Sequence, residues 1–169
     1  MNALHQHSLA PEVLRHLDAQ IESARRLLGA ILAQGKSIKQ QDVEGVMARL
    51  ADIKTEMDLR SRLEAERVTI LTRAGAELGV QPVGVTLDGL TTLMSPPEAE
   101  LARTRSAELR GLLEEIAREH GVNRALMRQE LAFLDHLMRL VGQEADPGYT
   151  PNGHGPSAQS PHRVLDLEA

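Results

Sequence analysis

Histidines are the residues of this chain best suited to proton transfer or metal binding, and there are seven of them. They lie at positions 5, 7, 16, 120, 136, 154 and 162. Paired metal sites in helical bundles use a glutamate three positions before a histidine, and none of the seven has one. His5 and His7 would chelate a metal only weakly. The chain has no cysteine, so thiolate ligands, thiol nucleophiles and disulfides are excluded.

Motifs that bind phosphate or activate a nucleophile are also missing. The sequence contains no HExxH, P-loop, GxSxG or GxGxxG pattern. Its carboxylates lie mostly in segments of mixed charge, where solvation is the expected role. We therefore expect a protein that is not an enzyme and that needs no cofactor and no metal.

Composition narrows the class of partner. The 169 residues are 41% hydrophobic and 25% charged, which is typical of one globular domain. A net charge of −5 and only two aromatic residues, Phe133 and Tyr149, argue against nucleic acid, which needs basic patches and stacking platforms. The first residues lack the pattern of a signal peptide and no apolar run is long enough to span a membrane. We expect a cytoplasmic protein without membrane insertion.

Apolar residues recur at helical spacing through most of the chain. This predicts an all-α fold, an elongated antiparallel bundle of three long helices with a short connecting helix and a flexible C-terminal tail. We expect a helical domain over residues 1–142 and a tail, rich in Pro, Gly, Ser and Asn, over residues 143–169. The helices are predicted at about 8–34, 37–79, 86–94 and 96–142.

The first helix carries a coiled-coil seam. Its apolar residues step by three and four, as in a heptad repeat, and are Leu14, Leu17, Ile21, Ala24, Leu28 and Ile31. Gly35 is expected to end this helix, and Ser37 or Asp42 to start the next. Because the connection is short, the second helix should return antiparallel to the first.

The second helix is predicted to be the element against which the other two pack. Its first half repeats apolar residues at three and four positions, which we expect to lie in the core: Val43, Val46, Leu50, Ile53 and Met57. The following segment, residues 58–67, is densely charged. It would be an ion-pair lock or a polar docking groove if functional. The favoured interpretation is a solvated face held by four i,i+4 pairs. They are Glu56 with Arg60, Asp58 with Arg62, Arg60 with Glu64, and Arg62 with Glu66.

Two local signals mark the approach to the third long helix. Leu87, Leu90, Leu93 and Met94 lie on one face of a predicted short helix, which would cover the end of the core or act as a lid over a groove. The sequence Ser95-Pro96-Pro97-Glu98 is a capping box, so the last long helix should begin there.

The last turns of this helix carry more apolar residues than one face can hold. Either the tail or the short helix wraps them as the end of a core, or they form a groove for a partner helix, in which methionines adapt to different surfaces. Tyr149 in the tail is either a docking residue or folds back on the bundle. The apolar residues considered for the groove are Leu126, Met127, Leu131, Leu134, Leu137, Met138 and Val141.

Three stretches together resemble the FlgN-type flagellar export chaperones. In LLGAILAQGKSIKQQDVEGVMARLADIKTEM the family's Leu pair, Asp and later Lys match Leu27, Leu28, Asp42 and Lys54. LEAERVTILTRAGAELG is similar to the segment with which the family closes its second helix. The late NRALMRQELAFLDHLMRLV is followed by YTPNG, much as the family's last helix is followed by a tyrosine and a glycine.

The resemblance implies a cytoplasmic chaperone for hook-filament junction proteins. It would bind the C-terminal segments of FlgK and FlgL through the last helix, here Leu126 to Val141, and prevent their premature assembly. It would hand them to the export gate protein FlhA, with Tyr149 at the position of the family's docking tyrosine. We expect it to be a monomer or a weak homodimer. Two alternatives stay open: a homodimeric coiled-coil adaptor that pairs through the first helix's seam, and a chaperone for another secreted substrate.

Overall fold

The computed structural model describes residues 9–144, with side chains as far as Arg139. Within this range the chain is helical and contains no strand, which confirms the all-α prediction. The described residues fall into two units, 9–131 and 132–144. No helix among them is long and apolar enough to cross a membrane. The helices are α1 (Leu9–Lys39), α2 (Val43–Leu78), α3 (Leu87–Thr92) and α4 (Pro96–Glu144), with a 3₁₀ turn at Pro82–Gly84.

Ion pairs between helices define the directions of the bundle in the first unit. Along α1, Glu12 pairs with Arg73 and Arg26 with Glu56, so α2 runs antiparallel to α1. Asp18 pairs with Arg105 and Arg25 with Glu108, so α4 runs parallel to α1. The three long helices therefore run up, down and up.

The helix at the centre of the bundle is α1, not α2. Buried residues recur along α1 from Leu9 to Ile38, whereas those of α2 are confined to Leu63–Gly75. The expectation that the other helices pack around the second one is wrong. The physical reason is a second series of buried residues on α1 beside its apolar seam, made of small or polar residues at 16, 20, 23, 30 and 34 together with Leu27.

Gly35 does not end α1, contrary to the prediction. The helix continues through Gly35 to Lys39. Gly35 faces a close neighbour on α4, because a Cβ at this position would lie 2.5 Å from Oδ1 of Asn123. Asn123 is buried, and its amide Nδ2 donates hydrogen bonds to the carbonyl oxygen of Ile31, at 2.8 Å, and to Oε1 of Gln34, at 3.3 Å. The glycine is therefore required for helix approach rather than for termination.

The turn between α1 and α2 uses the second of the two predicted starts. The backbone N–H of Asp42 donates to the carbonyl of Ser37, and the Asp42 carboxylate accepts from the N–H of Gly45 at 2.9 Å. Asp42 therefore caps α2, and the helix begins at Val43 rather than at position 37. Gln41 takes a left-handed conformation, with φ of 56°, to close the turn.

The predicted start of the last long helix is confirmed. The Ser95 hydroxyl and backbone N–H both donate to Oε2 of Glu98, at 2.7 and 2.9 Å. Before it, α3 lies over one end of the core, where Leu90 packs in a cluster with Leu9, Val13 and Ile70. This placement agrees with a cover for the core end rather than a lid.

The boundary predicted at residue 142 stays a prediction. The first unit ends at Leu131, and α4 continues to Glu144. Residues 145–169, which make up most of the predicted tail, lie outside the described part of the chain.

Candidate functional site

Apolar side chains are exposed near the end of α4 in the first unit. Leu126 is half-buried, whereas Met127 and Leu131 are exposed, Leu131 to 64%. They follow Asn123, the last buried residue of α4 among those described. Leucine and methionine surface of this kind is unfavourable in water, so it indicates a surface that binds a partner.

The second unit, taken by itself, exposes apolar residues at helical spacing. Leu134, Leu137 and Met138 are exposed, Met138 to 75%, and Phe133, one turn before Leu137, is exposed as well. Val141 lies within α4, but its side chain is outside the described residues. All of the predicted cargo-binding residues whose side chains are described are thus at least partly accessible.

Tyr149, the predicted docking residue, lies outside the described residues. So does the apolar C-terminal sequence Val164-Leu165-Asp166-Leu167. The role of Tyr149 therefore stays a prediction.

The first half of α2 exposes a second apolar series. Val43, Leu50 and Met57 are exposed, Val43 to 74%, while Val46 and Ile53 are half-buried. The prediction that this series lies in the core is wrong. Its spacing of three and four is that of a helix that packs against another helix, yet in this half of α2 no residue is fully buried.

A cavity of about 320 Å³ lies between α1, α2 and α4. Its apolar wall includes Val13, Leu17, Leu109 and Leu113, and α3 contributes Leu87 and Leu90. Its polar side is formed by two residues of α1 and three of α2, which are His16, Gln20, Arg60, Glu64 and Arg67.

Five of the six charged side chains in the segment 58–67 of α2 are exposed, which agrees with the predicted solvated face, but the pairs that hold the segment differ from the predicted ones. None of the four expected i,i+4 pairs forms among the described residues. Glu56 instead binds across to α1, where its carboxylate accepts from Nε of Arg26 at 2.6 Å and from the Ser23 hydroxyl at 3.2 Å. Glu64 pairs with Arg67 at 3.1 Å. Glu56, just before the segment, therefore joins α2 to α1, and Arg60, Glu64 and Arg67 of the segment line the cavity.

Hydrogen bonds to carboxylates shift three pKa values. The bond from Arg25 to Glu108, and that from Arg26 to Glu56, raises the pKa of each arginine. The Ser95 hydroxyl, followed by the Ser95 backbone N–H, lowers the pKa of Glu98 below its usual range. All three are structural contacts of helices rather than features of a reactive centre.

The described side chains offer no metal site: no group of three His, Cys, Asp or Glu residues among them is arranged to hold an ion. What the geometry offers instead is apolar surface on α4 and α2 and one cavity with a polar side. These features suit the binding of a protein segment.

One protein family matches the chain. The model of a family described as FlgN protein matches residues 1–156. No curated protein and no solved structure is similar enough to match.

Proposed function

The chain belongs to the FlgN family, and from this premise we propose that it binds the C-terminal helical segments of FlgK and FlgL. Membership makes it a flagellar export chaperone, which binds flagellar export substrates, and the family is not known for enzymes. The finer proposal is that these hook-filament junction proteins are its cargo. It keeps them unassembled in the cytoplasm and delivers them to the export gate.

The observation that carries the proposal is the exposed leucine and methionine surface of α4. The cargo proteins would otherwise assemble through their amphipathic C-terminal helices. Such a helix can cover the exposed side chains of α4 with its own apolar face. Leucine and methionine fit helices of different sequence, because methionine is flexible and polarisable. The proposed cargo-binding residues are Leu126, Met127, Leu131, Leu134, Leu137, Met138 and Val141.

Release at the gate is the second half of the proposal. We assign the contact with FlhA to Tyr149, because a single aromatic residue in a polar segment can enter a pocket without disturbing the bundle. A Tyr149→Ala chain should then keep its affinity for cargo and lose its affinity for FlhA.

A calorimetric titration with the C-terminal segments of FlgK and FlgL from the same organism tests the cargo. We expect one-to-one binding with a micromolar or lower Kd. Leu134→Glu and Met138→Glu should each weaken it at least tenfold, because a charge would be buried in an apolar contact. Gln129→Glu is the matched control, since it adds the same charge to α4 at an exposed polar position and should leave the Kd unchanged.

A second candidate is a homodimer, which the exposed series on the first half of α2 favours. A dimer through the α1 seam would require the bundle to open, because Ile21, Ala24 and Ile31 are buried. Val43, Leu50 and Met57 are accessible to a second copy instead. A stable dimer with no affinity for either segment would support this candidate. A monomer that binds neither segment would support a chaperone for another secreted substrate.

A further inference from the structure

Two hydrogen-bond donors at the cavity between α1, α2 and α4 have no hydrogen-bond acceptor. One is Nη1 of Arg60 and the other is Nδ1 of His16, and both atoms are buried. His16 is only 8% exposed. The amide of Gln20 donates to its Nε2 at 2.9 Å, so in the neutral ring the proton resides on Nδ1. A buried donor without an acceptor is costly, most of all on a charged group.

Among the residues that line the cavity, the charge is positive on balance. Glu64 is neutralised by its ion pair with Arg67, and no ion pair involves Arg60 among the described residues. Glu66 approaches Nδ1 of His16 to 3.5 Å, which would be an ion pair with a protonated ring, but it forms no hydrogen bond with that nitrogen, and it does not line the cavity. The cavity therefore presents an unpaired guanidinium and a buried imidazole nitrogen without a hydrogen-bond partner, beside apolar side chains. The complementary ligand carries an anionic acceptor next to an apolar group.

The size of the cavity favours the C-terminal residue of a polypeptide over an internal residue. About 320 Å³ is near the lower limit for ligand pockets. If an internal residue of a peptide entered the cavity, the chain before it and the chain after it would both have to pass through the opening. For a C-terminal residue only the preceding chain passes through. Only the chain end also places a carboxylate on the same Cα as a side chain.

We propose that this cavity receives the free C-terminal carboxylate of the cargo segment, with the apolar side chain nearest to it. Arg60 and His16 donate to the carboxylate, and Val13, Leu109 and Leu113 contact the apolar side chain. The inference rests on the proposed function, because the cargo supplies the chain end. It adds a second contact to the surface on α4 and makes recognition depend on an unmodified C-terminus.

The test compares each FlgK or FlgL segment as the free acid and as the C-terminal amide, which differ by one charge. With the wild-type chain we expect the amide to bind about tenfold more weakly, because one charge-assisted hydrogen bond is lost. The Arg60→Gln chain should bind the free acid about tenfold more weakly and no longer distinguish acid from amide. Arg62→Gln, an exposed arginine of α2 that does not line the cavity, should behave as wild type.

The outcomes separate this inference from the proposed function. Equal affinity for acid and amide would overturn the inference and leave the cavity to water, while the contact with α4 would stand. Loss of discrimination in Arg62→Gln as well would overturn the role of Arg60. If neither form binds the wild-type chain, the proposed function fails and the inference fails with it. The acid and amide comparison needs no variant, so no folding defect can obscure it.

Discussion

Single side chains at helix ends and crossings fix where the helices of this protein start and how closely they pack. Ser95 and Glu98 satisfy each other at the start of α4, and Asn123 bonds to the backbone of α1. The first pair was predictable, because a capping box is a local pattern of four residues. The contact of Asn123 with Gly35 was not, because it joins residues far apart in the sequence.

The capping box makes the start of α4 sensitive to acid. Since Glu98 has a lowered pKa in the folded chain, the unfolded chain binds the proton more readily. The contribution to stability is therefore complete above the unfolded pKa and is lost as the pH falls through the folded value. In Ser95→Ala we expect the pKa of Glu98 to rise towards its usual range, measured by ¹³C NMR titration. Ser61→Ala, at an exposed position in α2, is the control, and an unchanged pKa in Ser95→Ala would contradict the assignment.

At the scale of elements, two glycines of α1 have opposite roles. Gly35 faces Oδ1 of Asn123, whereas nothing lies within 4 Å of a Cβ built at Gly29. From the sequence, Gly35 was predicted to end α1, because glycine is the residue that most often ends a helix. Glycine serves close helix approach as well, and only the position of α4 distinguishes the two uses.

Alanine substitutions at these glycines should change stability in opposite directions. Gly35→Ala should lower the free energy of unfolding by about 1–3 kcal/mol, because the methyl group overpacks a buried contact. Gly29→Ala should raise it by about 0.5–1 kcal/mol, because alanine is the better helix former. Urea unfolding followed by circular dichroism measures both. A stabilised Gly35→Ala chain would show that the α1–α4 approach is looser than the structure indicates.

The outcome for α1 and α2 shows what periodicity can and cannot predict. It found both helices, their antiparallel arrangement and the first seam of α1. The prediction placed α2 at the centre because its long proline-free stretch, with the apolar series from Val43 to Met57, lies between the other two helical stretches in the sequence. That second face contains Gln20 and Ser23, which are buried through contacts that only the assembled bundle provides. For the same reason the sequence alone did not reveal the cavity.

At the scale of the whole molecule, burial is unevenly distributed in the first unit. Fully buried residues recur through α1, whereas α2 has none between Val43 and Arg62. Apolar burial is the main source of stability against local opening. The same half of α2 carries the accessible apolar series from Val43 to Met57. The surface that a second copy could contact therefore lies where we expect the local stability to be lowest.

Hydrogen exchange should report this asymmetry directly. We expect backbone amides of α1 from Ile21 to Ile31 to exchange at the rate of global unfolding. Amides of α2 between Val46 and Arg62 should exchange faster, through local opening. Mass spectrometry of the peptides from one labelled sample provides the comparison. Equal protection of the two segments would mean that α2 is held by contacts other than those of the single chain, such as a second copy.

The central position of α1 also constrains the order in which the molecule can be assembled. The hairpin of α1 and α2 is available once residue 78 has been synthesised, and its contacts are local in sequence. The other side of α1 stays uncovered until Pro96 and the residues after it follow. A nascent or truncated chain that stops before α4 therefore exposes Ile31 and the gap beside Gly35. In such a fragment the surface of α1 that α4 covers in the complete chain is an open groove.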